Sequence, residues 1–219
     1  MNIEIATYRK FKKSQSGGIE CTQKTILKQP IIDELFNLIG ASIFLLLIWT
    51  AMRCNELRNL KINSLRVDGK PLDIAKDTIK QIQEGCRFEL QRTVYKTTDE
   101  PEGEEHELPL TKIGALAFAT LVELFRGTRE RQKTEYLLPA GGFDIHSGGS
   151  IGDYGTDIPI NNKTIQKWLS NFCEFVGVEH HHPHQCRKTL ATLIINHDPN
   201  SLELIRRILC HDNIKMTLE

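Results

Sequence analysis

No two cysteines in this chain stand at Cys-x-x-Cys spacing, although six are present, at positions 21, 54, 86, 173, 186 and 210. Scattered thiols of this kind exclude a zinc ribbon and a disulfide framework, and they suit reduced cysteines in a cytoplasmic protein. There is no Gly-x-x-x-x-Gly-Lys-Ser/Thr box, so the glycine-rich stretch at 141–155 reads as plain loop rather than a phosphate cradle. The apolar run Ala41–Trp49 is too short to span a bilayer, and the N-terminus lacks a signal-peptide core, so no membrane partner is expected. Internal repeats are absent as well. Net charge is also missing: 28 basic residues face 28 acidic ones.

That balance hides an uneven distribution. The segment from Asp99 to Glu107 (DEPEGEEHE) holds six carboxylates and no Lys or Arg, which leaves the remainder at a net +6. Residues 1–28 carry Arg9, Lys10, Lys12, Lys13, Lys24 and Lys28 against Glu4 and Glu20. A basic body with one acidic loop is compatible with a polyanionic partner. With Ser14, Ser16, Gly17 and Gly18 among them, residues 1–28 read as a basic linker or arm rather than a packed element. Residues 29–219 then form one domain of a size that buries a substantial core.

The domain reads as α+β and mainly helical. From Pro30 the stretch IIDELFNLIGASIFLLLIWT is too apolar for a surface helix, and so is expected as the buried helix of the domain. TAMRCNELRNLKI follows, with Arg53, Glu56, Leu57 and Leu60 expected on one helical face. An arginine placed directly after the most apolar helix needs a partner, which Glu56 or a bound anion would supply. Residues 65–110 carry strand signals: a turn at Asp68-Gly69, period-two alternation in CRFELQRTVYK, and a return strand in EHELPL. They predict a three-stranded antiparallel sheet. Thr111 is placed to cap an amphipathic helix through Ile113, Leu116, Leu121, Leu124 and Phe125. A loop-rich region spans 127–160. Another helix runs through Ile165, Trp168, Leu169, Phe172 and Val176. Two last helices carry apolar stripes at Leu190, Leu193 and Ile194, and at Leu202, Ile205, Ile208 and Leu209.

The chemistry concentrates in Pro183–Glu219. Pro183 suits a first helical turn, and His184 and Arg187, three apart, share a face there. The pair Cys210-His211 follows the last stripe. Imidazole and guanidinium groups gathered at helix termini suit an anionic oxygen, since charge-assisted donors and helix amides converge on it.

In order, the parts are an apolar helix, Thr-Ala-Met-Arg53-x-x-Glu56-Leu, Lys96-Thr before Leu-Pro-Leu, Tyr136-Leu-Leu-Pro, His184-x-x-Arg187-Lys-Thr-Leu-Ala-Thr, and Leu-Cys-His211-Asp-x-Ile-Lys-Met-Thr. Over roughly residues 30–219 this order resembles the catalytic domain of the tyrosine recombinases, the phage integrase family of site-specific DNA recombinases. The resemblance implies a DNA breaking-rejoining fold and transesterification through a 3′-phosphotyrosine, with no metal or nucleotide cofactor. Arg53 and Arg187 would hold the non-bridging oxygens of one phosphate, and His184 and His211 would add donors. Lys96 would protonate the leaving 5′ oxygen, and Glu56 would orient the cluster. The implied partners are double-stranded DNA and, in a full-length synaptic complex, further copies forming a tetramer. Three departures stand out. Cys210 occupies a position where the family usually has glycine. The family's spacing puts the nucleophilic tyrosine just after Glu219, and no core-binding domain precedes the catalytic one. A catalytic-domain fragment or truncated relative, inactive in DNA cleavage, is therefore expected.

Three rival readings remain open. A DNA-binding or regulatory remnant would keep the fold without the reaction. A type IB topoisomerase shares the Arg-Lys-Arg-His-Tyr chemistry, although the compact size and the wording of the boxes favour a recombinase. A metal-binding protein would draw on His180, His181, His182, His184, Cys173, Cys186 and Cys210, but no paired ligand spacing appears among them.

Overall fold

The computed structural model describes residues 5–13, 19–27, 29–94, 103–140 and 157–210, with side chains from Ile31 onward. The segment expected as a basic linker or arm holds two strands among its described residues. Strands β1 (Ile5–Lys13) and β2 (Ile19–Leu27) pair antiparallel in register, from Ile5 opposite Leu27 to Lys13 opposite Ile19.

Helix α1 (Gln29–Thr50) is the axis of the domain. Its Ile39, Ile43, Leu46 and Leu47 are fully buried, and each stabilises the fold by roughly 1.5–3 kcal/mol. By length and composition Ile31–Thr50 would also pass for a membrane span, a longer one than the run at 41–49 suggests. Its neighbours identify it as a core helix instead: it packs on α3 (Lys112–Leu124), α5 (Asn162–Phe175) and α6 (Pro183–His197). Gly40 permits the close approach of α5, because a Cβ there would lie 2.5 Å from Phe172 Cβ and 2.7 Å from the Trp168 carbonyl oxygen. Phe36 and Phe125 meet Trp168, and Phe44 meets Phe172, at ring-centroid distances of 5.9–6.5 Å.

The sheet has four antiparallel strands in the order β4-β3-β5-β6, one more than the sequence suggests. The addition is the two-residue β4 (Lys70–Pro71), which pairs with β3 (Leu65–Val67) across the Asp68-Gly69 turn. Both turn residues have positive φ, at 50° and 77°, as a two-residue hairpin of right-handed twist requires. β5 (Phe88–Val94) alternates strictly between buried and half-buried positions and pairs with β6 (Glu104–Leu110) from Phe88 opposite Leu110 to Val94 opposite Glu104.

Thr111 caps α3 as expected, its side chain accepting the Gly114 amide. Of the expected stripe, Leu121 and Phe125 are fully buried and Leu116 and Leu124 pack on the core, with one exception. Ile113 is exposed, while Ala115, Phe118, Leu121 and Val122 turn inward. Inside the region read as loop lies α4 (Arg126–Gln132). Of the final stripes, Ile205 and Leu209 of α7 (Leu202–Leu209) are buried, whereas Leu193 of α6 is 57% exposed. The α6–α7 pair thus forms a small second cluster against Ala51.

Candidate functional site

The site is assembled where α1 stops. Ala51 adopts φ 49°, a left-handed conformation that costs a non-glycine residue roughly 1–2 kcal/mol. The chain turns there and restarts as α2 (Cys54–Arg58), so Arg53 is the N-cap of a new helix and does not share a continuous helical face with Leu60. Glu56, in the first turn of α2, reaches back with both carboxylate oxygens. Oε2 accepts the Arg53 amide at 3.2 Å, and Oε1 accepts Arg53 Nη1 at 3.1 Å. Glu56 is only 3% exposed, against 23% for the Arg53 side chain. The expected pair therefore forms, with the carboxylate inside and the guanidinium nearer solvent. The Tyr136-Leu-Leu-Pro segment supports it from behind: the Leu137 amide donates to the Leu60 carbonyl at 2.8 Å, and Leu137 and Leu138 are fully buried.

Arg187 comes to the same place from α6. Pro183 opens that helix at its first position, after His182 as the N-cap, as the sequence suggests. Arg187 lies one turn in and is 4% exposed. Its Nη1 donates to the Ala51 carbonyl at 2.5 Å, and its Nη2 donates to the Leu209 carbonyl. These acceptors are C-terminal carbonyls of α1 and α7, where the helix dipole favours a cation. Burial, followed by the nearby Arg53, lowers the Arg187 pKa to about 10, and Glu56 opposes that shift. The guanidinium stays charged at neutral pH. Among the described residues, two of its five N–H groups donate to carbonyls.

His184 occupies the first turn of α6 and is exposed, one turn from Arg187. Lys96 and His211 lie outside the described residues, so the structure brings together Arg53, Glu56 and Arg187 with His184 on the same helix as the last. Cys210, the residue before His211, has φ 48° and ψ 54°. That left-handed conformation explains why glycine suits the position, and the cysteine holds the same turn under strain.

One member of the cluster was not anticipated. Arg92 of β5 has no exposed side-chain surface and donates through Nη1 to Glu56 Oε2 at 2.9 Å. The signal was present in the alternation, which puts Arg92 on the inward face with Phe88, Leu90 and Val94. A charge on an otherwise apolar strand face marks a buried ion pair. Three guanidiniums thus surround one carboxylate, an excess of positive charge that an anion would balance. Next to them a cleft of about 640 Å³ runs between the α2 end and the sheet, lined by polar residues including Asn59, Lys61, Asn63, Ser64, Gln91 and Thr93.

The histidine-rich turn does not build a metal centre: among the described residues no three His, Cys, Asp or Glu side chains are grouped to hold an ion. His180 and His182 instead meet edge to face, with Nε2 and Nδ1 3.2 Å apart. Cys186 is buried, which pushes its thiol pKa to about 11.

Known proteins are similar to this chain in family and in fold. The model described as Phage integrase family matches residues 25–219. The crystal structure of XerA recombinase superposes with a TM-score of 0.53 at 17% identity, covering 88% of this chain and 58% of that one. The chain therefore spans less than two thirds of the length of that structure, and the likeness is one of fold. No curated protein sequence matches.

Proposed function

The chain belongs to the phage integrase family, and from that membership we propose that it serves site-specific DNA recombination by strand cleavage and rejoining. The observation that carries this reading is the placing of Arg53 and Arg187 around one buried Glu56. Two guanidiniums so placed hold the two non-bridging oxygens of a phosphodiester and stabilise the extra charge of its pentacovalent transition state. His184 and His211 add donors. A tyrosine phenol attacks phosphorus, the bond from phosphorus to the 5′ oxygen breaks, and Lys96 gives the leaving oxygen its proton. The phenol proton passes to a neighbouring base, the role the family resemblance gives His184. A phenol with pKa near 10 is a poor nucleophile at neutral pH, and the surrounding cations favour its ionised form. Bond energy is kept in the phosphotyrosine, so rejoining is the reverse reaction. The proposed setting is cytoplasmic, on duplex DNA, with recombination completed in a tetramer of full-length copies.

The test supplies the nucleophile where the family's spacing puts it. The chain, extended after Glu219 by a tyrosine and a following helix, is incubated with a library of nicked duplexes of random sequence. The proposal expects a covalent protein–DNA species that survives denaturing electrophoresis, while the 219-residue chain alone forms none. An adduct with the unextended chain would assign the chemistry to another residue. No adduct with either would favour a DNA-binding remnant.

A further inference from the structure

Arg92 has no part in the reaction as proposed above, yet its contacts account for more of the site's geometry than any other side chain. Nη1 donates to Glu56 Oε2 at 2.9 Å and to the Thr50 carbonyl at 3.4 Å. Nη2 donates to the Ile208 carbonyl at 2.7 Å and approaches Cys210 Sγ at 3.1 Å. All four Nη hydrogens are therefore engaged, and the remaining donor, Nε–H, is buried. Arg187 repeats the pattern one residue along each helix, joining the Ala51 and Leu209 carbonyls. The two arginines form parallel straps between the C-terminus of α1 and the C-terminus of α7. Only Arg92 also reaches Glu56, the carboxylate that holds Arg53.

We propose that Arg92 is a positioning residue that sets Arg53 and the turn leading to His211 at a fixed separation, so that both sides of the phosphate site are in place before DNA arrives. It acts on Arg53 through Glu56, and on the turn through the Ile208 carbonyl and Cys210. The cysteine standing where glycine is usual supplies one acceptor of this strap, at the cost of the left-handed strain at its own φ of 48°. A planar fork with donors on two sides is needed; an ammonium cannot span Glu56 and α7 at once.

This inference rests on the proposed reaction for its kinetic readout but not for its structural one. Arg92→Lys is made in the tyrosine-extended chain. Duplex affinity should stay within twofold, adduct formation should slow at least tenfold, and amide exchange should quicken across 203–210 while α3 is unchanged. Cys210→Ala should shift exchange in the same direction by less, and Cys210→Ser, which keeps an acceptor, should restore it. A merely structural arginine would instead loosen α3 and the sheet together and weaken DNA binding as much as the rate; that result overturns the proposal, as does unchanged exchange at 203–210. If the parent forms no adduct, the recombination reading fails, and the exchange measurement still decides the strap.

Discussion

Glu56 Oε2 and Arg92 Nη1 lie 2.9 Å apart with the arginine side chain fully enclosed, and the same carboxylate holds Arg53 through Oε1. One acidic group thus compensates two cations, with a third, Arg187, nearby, its pKa lowered first by burial and then by Arg53. The stability of the site depends on that single carboxylate.

Glu56→Gln should therefore be costly. Removing one partner of a buried ion pair typically costs about 3–5 kcal/mol, because the remaining charge stays desolvated. In a chain of this size each kcal/mol moves the melting temperature by about 2–4 °C, so a fall of roughly 6–20 °C is expected in a thermal melt. Added phosphate or sulfate should recover less of the loss than the carboxylate provided.

Gly40→Ala should also destabilise, for a different reason. The new methyl meets Phe172 Cβ and the Trp168 carbonyl, of which the backbone group has little room to move. Overpacking of this kind costs about 1–3 kcal/mol, and a urea denaturation midpoint would report it.

How far such features are legible in the residues alone differs from element to element. The apolar α1, the Thr111 cap, the Asp68-Gly69 turn and the proline opening α6 all follow from local chemistry, and they stand where the sequence puts them. Arg53, Glu56 and Arg187 were legible as a set only through the order of their boxes, since more than a hundred residues separate the first pair from the third. Arg92 escaped because its burial depends on which face of β5 turns towards α2, a tertiary relation that alternation hints at without naming. Leu193 erred the other way: an apolar residue at helical spacing remains exposed, because α6 buries its N-terminal half far more completely than its C-terminal half.

Acid should release the segment around Thr78 before the rest. Glu123 accepts the Thr78 amide and hydroxyl and an Arg126 pair, and chiefly the Arg126 bond lowers its pKa to about 2. A depressed carboxylate pKa contributes stability that is full above the unfolded value near 4.5 and is lost as pH falls towards 2. Glu123 is largely solvent-screened, so the effect is modest, about 1 kcal/mol. Glu123→Gln should lower stability by about 1 kcal/mol at pH 7 and flatten the profile between pH 4.5 and 2, where the wild-type contribution is itself lost.

Duplex DNA should bind weakly and with little sequence preference, and the affinity should fall steeply between 50 and about 200 mM salt as counterions are released. Fluorescence anisotropy with a short labelled duplex measures this. Arg53→Gln should reduce affinity more than Lys188→Gln, since Lys188 is exposed on the face of α6 away from Arg187.

The most direct measurement of the central claim compares adduct yield on the nicked-duplex library for the tyrosine-extended parent, Arg53→Gln and Arg187→Lys, with thermal melts to verify folding. The account predicts a phosphotyrosine adduct in the parent and a loss of at least a hundredfold in each variant, since each removes a transition-state contact worth about 3 kcal/mol. Equal yields in the parent and both folded variants would contradict it, because the phosphate would then be held elsewhere.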